Sequence, residues 1–484
     1  MDTRKVPLDD LPTCRFHRKV AFVAAGGPFC DGYLLGIIAV ALPTIATDLG
    51  IGSLGEGLIG ASALMGMFLG GLIFGPLTDR LGRSGMYTVN LMVFVVCSAL
   101  QFFAVDAVSL FLMRFVMGVA LGADYPIATA LATEFLPRRL RGPVLASLVL
   151  VLWVGFTASY AVGYLMAGLG DGAWRWMLAS AAVPSLVFLL LRLGTPESPR
   201  WLLSVGRTDE ARAVVAEHLG PRADFEALVA ETRAAPVRKG PALSGIGELF
   251  RRGYGPMLAF CSIFWVCQVA PSFAVKTFQP QLLTSLGVDN ALGASVLVQS
   301  FAIVGTALGM LVINALGRRT LLLASTAVFT VALLVLGINP WATSGLVITL
   351  FIVFNLAEAA GAALQFVYPN ELFPTDLRGT GMGVATAVSR IGSATGTFLL
   401  PLTTDRWGAG TGLYIAAGIG TIGLAVSWRM APETRRLSLA QASGDEERGH
   451  GPRQPTDTTR QGQPTDTPRP DQPTETPRPG QPTP

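Results

Sequence analysis

"RFVMGVALGADYPIATALATEFLPRRLRG", from Arg114 to Gly142, decides how the whole chain reads. Most of it is apolar enough to sit in lipid. Yet it holds Arg114 and Asp124, and it ends in Glu134, Arg138, Arg139 and Arg141. Such a stretch predicts a membrane-spanning helix whose inner end is pinned by arginines. Its intramembrane acid then faces a cavity or a partner, because a charge in hydrocarbon is costly.

The rest of the chain agrees. Of 484 residues, 51% are hydrophobic and 14% are charged, against about 25% charged in a soluble domain. Mean hydropathy is +0.51. The 55 glycines fit membrane helices, where glycine is frequent. Apolar runs, each long enough to cross ~30 Å of hydrocarbon, predict helices over 20–46, 57–78, 86–105, 108–134, 143–168 and 176–194. They resume over 256–285, 291–314, 320–338, 344–368, 380–403 and 410–430. The expected fold class is an all-α membrane protein, with twelve transmembrane helices in two pseudo-symmetric six-helix halves.

The expected organisation follows. Residues 1–19 are a cytoplasmic segment without a signal peptide's apolar core. Residues 20–194 and 256–430 are the two bundles. Residues 195–255 are a cytoplasmic linker with an amphipathic helix at "TDEARAVVAEHLG". Residues 431–484 are a cytoplasmic tail, Pro/Thr-rich and too polar to bury a core, hence disordered by expectation. Basic residues gather in loops on one side, which predicts that both termini are cytoplasmic and that the protein is a multi-pass component of the plasma membrane.

The two halves echo each other. "DRLGR" (Asp79–Arg83) returns as "NALGR" (Asn314–Arg318), and "EFLPRRLRG" (Glu134–Gly142) returns as "ELFPTDLRG" (Glu371–Gly379), at offsets of 235 and 237 residues. Repeated halves around a central path predict substrate binding near the bilayer midplane and alternating access by rocking.

On these residues the chain resembles the major facilitator superfamily, in its sugar porter and bacterial metabolite:proton symporter branch. The pieces that carry the resemblance are "GPLTDRLGR" (Gly75–Arg83), "RFVMGVALG" (Arg114–Gly122), "EFLPRRLRG", "PESPRWL" (Pro196–Leu202), "LGRR" (Leu316–Arg319) and "ELFPTDLRG". Asp79, Arg80, Gly82, Arg83, Glu134, Arg141, Glu197, Arg200, Arg318, Glu371 and Arg378 are the candidate cytoplasmic gate. Arginine forks pair with carboxylates, and cations suit helix carboxyl ends, so these groups either form an ionic lattice or act only as solvated anchors. Small residues four apart, Gly66 with Gly70 and Gly75, Gly118 with Gly122, and Gly392 with Gly396, predict close helix packing.

Four ionisable groups fall at similar depth. Asp31, Asp124 and Arg390 each lie ~15–16 Å from an inner helix end, and Glu358 ~20 Å. Proton coupling is assigned to Asp31, Asp124 and Arg114; interhelix salt bridges are the structural alternative. In the resembling porters an acid on the first helix couples to the arginine that Arg114 matches. Here the pattern "GYD" reads "GYL", with Leu34 at the acid's place and Asp31 three residues earlier. Glu358 and Arg390 can alternatively pair with each other, and Arg114 can simply snorkel outward.

Arg390, Glu358, Gln268, Gln365, Trp153, Tyr160 and Lys276 are the candidate substrate-binding residues. Lys276 reads either as an outer attractor of anions or as a snorkelling lysine. The set is thin in hexose-binding groups, and Arg390 suits a carboxylate. The expected function is secondary active transport of a small polar metabolite, an organic acid first, with a sugar or polyol as the alternative. A drug-like efflux carrier and a non-transporting sensor rank lower. No nucleotide-binding loop appears, and His17, His218 and His450 form no catalytic or zinc constellation, so no enzyme is expected. The five cysteines lack metal spacing. No metal and no cofactor are expected. The expected partners are substrate, protons and lipid, with no nucleic acid, and the expected state is a monomer.

Overall fold

The computed structural model describes residues 5–234, 242–338, 343–374, 377–435 and 441, without the side chains of residues 75, 76, 79–81, 125, 126, 234 and 242–244. The first six spans are α1 (Arg15–Asp48), α2 (Ser53–Leu81), α3 (Arg83–Gln101), α4 (Ala107–Phe135), α5 (Arg138–Met166) and α6 (Ala173–Arg192). The second six are α7 (Gly255–Thr277), α8 (Ala291–Leu316), α9 (Arg318–Ile338), α10 (Ser344–Leu372), α11 (Arg378–Trp407) and α12 (Ala409–Met430). Three run on or break, α10 at Ala363 among them. α7 is followed at once by Gln279–Ser285, and α6 breaks at Ala181.

Among the described residues, eleven helices are both long and apolar enough to cross a membrane. The twelfth, α11, has 30 residues but is diluted by Arg390, glycines, serines and threonines. The starts of α4 and α8 are capped as the local sequence dictates. The Asp106 carboxylate accepts from Ser109 N at 2.7 Å at the head of α4, and Asn290 accepts from Gly293 N at 3.0 Å at the head of α8.

Glycines set the pairing. A side chain on Gly66 or Gly118 would overlap the backbone of the facing helix, which holds α2 against α4. Gly305 and Gly309 do the same for α8 and α10, Gly32 and Gly155 for α1 and α5, and Gly396 for α7 and α11. The same pairs therefore recur in both halves. The side-chain surroundings of Gly75 lie outside the described residues. Leu165, Leu311 and Val183 lie exposed on outward faces, as a lipid-facing belt requires.

The halves meet toward the end where α2 begins and α11 finishes. Ser53 Oγ donates to Asp405 at 3.0 Å, Gln281 Nε2 to Glu56 at 3.1 Å, and Thr157 Oγ1 to Gln299 O at 3.3 Å. The linker's "TDEARAVVAEHLG" forms Thr208–Val214 and Val215–Leu219. It packs with Trp201 and Phe225 against Leu8 and Leu11 of the amino-terminal segment. The expected tail, apart from Gln441, lies outside the described residues.

Candidate functional site

Two buried clusters occupy the interior, one in each half. In the first, Asp31 of α1 and Asp124 of α4 are 3% and 0% exposed and act electrostatically on each other. Asp124 lies against Gly27 of α1, where a Cβ would overlap its carboxylate. Asn90 Nδ2 of α3 reaches Asp124 Oδ1 at a long 3.5 Å while donating to Ala120 O at 2.9 Å. Tyr87 Oη accepts from Gly27 N at 2.6 Å and donates to Val23 O at 2.9 Å. The Arg192 guanidinium stacks on the Tyr87 ring at 4.8 Å and acts electrostatically with Asp124. Asp31 Oδ1 and Asp124 Oδ2 have no hydrogen-bond partner among the described residues.

In the second cluster, Lys276 Nζ of α7 meets Glu358 Oε2 of α10 at 2.5 Å and donates to Ser272 Oγ at 2.9 Å. The ammonium lies 4.0 Å from the Trp153 ring centroid. Trp153 belongs to α5, so this cation–π contact crosses between the halves. Two turns further along α5, Tyr160 Oη donates to Lys276 O at 2.6 Å. Beside them Gln365 Nε2 donates to Gln268 Oε1 at 3.1 Å, and Gln268 reaches Glu358 O at 3.5 Å.

Several pairings differ from those read in the sequence. Lys276 does not snorkel: it is 1% exposed and locked to Glu358. Glu358 is therefore the partner of Lys276 rather than of Arg390. Arg390 instead acts electrostatically on Asp31, joining α11 of one half to α1 of the other. No contact joins Asp31 to Arg114. Arg114 is 1% exposed, and none of its three guanidinium nitrogens has a partner among the described residues. The physical reason is position, since Asp31 lies a turn inward of Leu34 and faces Asp124.

Some of the residues expected at the gate form ion pairs, in part with partners other than those read in the sequence. Arg83 Nε pairs with Glu134 at 2.8 Å, and Arg318 Nη2 with Glu371 at 3.2 Å. Glu197 accepts from the backbone N–H groups of Arg83 and Ser84, capping α3. Gly82, at φ +93°, leaves room there that a Cβ would take from Glu197. Arg141 and Arg200 form no direct ion pair with those acids; both bind Asp9, at 2.5 and 2.9 Å, and Arg200 also binds Glu231 at 2.8 Å. The Asp79 and Arg80 side chains lie outside the described residues. Arg378 is present at the head of α11.

Tyr87, Asn90, Arg192, Asp9 and Glu433 were not singled out in the sequence. Polar residues inside an apolar run are the signal that would have found Tyr87 and Asn90. Glu433 was signalled by the repeat, since "PET" (Pro432–Thr434) stands 236 residues after "PES" (Pro196–Ser198). It caps α9 through the N–H groups of Arg318 and Arg319 at 3.0 and 3.1 Å, as Glu197 caps α3.

Twelve long helices in two equivalent halves, with buried charges between them, define a membrane carrier of the major facilitator type. The chain matches the Sugar (and other) transporter family over residues 20–445 and belongs to it. It is 38% identical over 444 residues to the putative metabolite transport protein YaaU of Escherichia coli (strain K12), covering 91% of this chain and 98% of that one. It is also 38% identical over 442 residues to the inner membrane metabolite transport protein YgcS of the same organism, with 91% and 97% covered. The fold matches the xylose transporter XylE from E. coli, in a partially occluded inward open conformation, at TM-score 0.76 and 19% identity over 88% of this chain and 100% of that one. The protein is thus a transporter and not an enzyme.

Proposed function

We propose that this transporter carries a small organic acid across the plasma membrane by alternating access, coupled to protons, as a monomer with both termini in the cytoplasm. The observation that carries this reading is the placement of Arg390. A guanidinium from the second half acts on Asp31, in the carboxyl pair of the first. Its planar fork can hold a substrate carboxylate, and rocking of the halves changes its distance from Asp31. A proton on Asp31 or Asp124 removes the repulsion between two buried like charges. The approach of Arg390 favours losing that proton again. One charge moved across 100 mV is worth ~2.3 kcal/mol, which is roughly fiftyfold in concentration.

Asp31 and Asp124 are the proton carriers in this reading. Lys276, Glu358, Gln268, Gln365, Trp153 and Tyr160 form the outer wall of the substrate site. The amide pair Gln268–Gln365 favours a second reading, a sugar or polyol carrier, because such amides serve hydroxyl groups.

The test is uptake into proteoliposomes with an imposed pH gradient, using matched acids and sugars. Asp124→Asn should abolish gradient-driven accumulation while leaving exchange of substrate across the membrane. Full accumulation in that variant would remove Asp124 from coupling. Arg390→Ala should lose acids and keep neutral compounds; loss of sugars alone would move the assignment to the second reading.

A further inference from the structure

Arg114 is unlike the other intramembrane charges described above. Asp31 has the charge of Arg390, Asp124 has Asn90 and the charge of Arg192, Lys276 has Glu358, and Arg192 has the Tyr87 ring and the charge of Asp124. Arg114 is as deeply buried as any of them, yet Nε, Nη1 and Nη2 all lack a partner among the described residues. No described carboxylate acts on it; burial is its only perturbation.

Its surroundings explain why. One turn further along α4, Gly118 lies against Ala63 of α2, and Met117 faces Ser98 and Gln101 of α3. α1 also packs on α4, and the part of α1 just outward of Asp31 offers Leu34, Ile37 and Ile38, all buried and apolar. Among the described residues this permanent cation has been supplied with no counter-charge. A buried ion without a partner is strongly unfavourable, and five N–H donors in a rigid fork suit one kind of guest.

We propose that Arg114 is the receptor for a small monovalent anion, chloride or a simple carboxylate, held within the first half beside α1 and α4. The anion supplies the charge that Leu34 does not. The site is separate from Arg390, so the inference does not rest on the transport reading.

The test uses the full-length protein in detergent, with thermal unfolding followed at constant ionic strength. Isethionate, a bulky anion, is replaced stepwise by chloride, and in a second series by formate. The wild type should gain a few degrees, saturably, as a ligand that binds only the folded state requires. Arg114→Met should be flat in both series and melt higher than the wild type in isethionate. Arg114→Lys should keep a weaker response. Leu34→Asp, which places a carboxylate in the chain, should also be flat.

A response to chloride alone assigns an inorganic ion; a response to formate alone assigns a carboxylate. A wild type indifferent to both anions, or an Arg114→Met variant that still responds, overturns the proposal. Because the readout is stability in the absence of substrate, either failure leaves the uptake tests of Asp124 and Arg390 standing.

Discussion

The two halves agree at their inner ends and differ inside. At the inner ends, Arg83–Glu134 with Glu197 and Arg318–Glu371 with Glu433 are the same device built twice. Even the glycines match: Gly82 and Gly317 sit at φ +93° and +89°, each with a glutamate where a Cβ would go. In the interior, one half holds two neighbouring acids and an unpartnered arginine, while the other holds a neutralised lysine–glutamate pair. What is duplicated is scaffold. What is asymmetric is the charge buried in the interior of each half.

Stability should reveal the same contrast. Glu358→Gln strands Lys276 in a buried site and should cost ~3–5 kcal/mol. Asp31→Asn, at similar burial, should leave stability unchanged or raised, because it removes one of two like charges. Both are read from thermal unfolding in detergent. Equal losses at the two sites would mean that the interiors are as alike as the inner ends.

Next come the matched glycines. Gly82→Ala and Gly317→Ala both force a side chain into backbone space suited to glycine, costing ~1–3 kcal/mol each. Their losses should agree, and a cost confined to one half would break the symmetry of the lattice. Asp9 belongs to the first half alone. Asp9→Ala removes partly exposed pairs to Arg141 and Arg200 and should cost no more than ~1 kcal/mol. Limited proteolysis should then cut the amino-terminal segment faster while hydrogen exchange in α7–α12 stays unchanged.

The smallest effect concerns Glu433. Partial burial opposes its charge, but the N–H groups of Arg318, Arg435 and Arg319 hold its carboxyl below the usual carboxylate range. A folded-state value below the unfolded one stabilises the protein above the unfolded value, about 4.3. That contribution is lost as pH falls through the folded value. The melting temperatures of wild type and Glu433→Gln should therefore converge on acidification below that range. A gap that widens there would show that Glu433 acts by packing alone.

The fold was legible because its signals are long and repeated. Apolar runs, arginines at inner ends and the offset motifs each pointed to the same twelve helices. The depth of the buried charges was legible too, since 1.5 Å per residue converts position into height. Their pairing was not. Depth leaves azimuth open, so Glu358 was matched with Arg390 while Lys276 was read near the outer mouth, and α7 turned out to present Lys276 inward, to Glu358. Asp9 carried no signal because a polar amino terminus reads as solvated. Its contact with Arg141 and Arg200 depends on how the linker folds back. Arg192 was hidden for a related reason: at the end of a span, a buried arginine and a solvated anchor look alike in sequence.

The weak hydropathy of α11 bears on how the chain is made. An arginine near the centre of a span costs ~2.5–3.5 kcal/mol at the insertion step, and the glycines, serines and threonines around Arg390 offer little to offset it. That segment is a poor substrate for the translocon by itself. It gains a favourable environment only once α2 and α7, which it packs against, already stand in the bilayer. Insertion of this late span is then expected to depend on α2 of the first half already being in place.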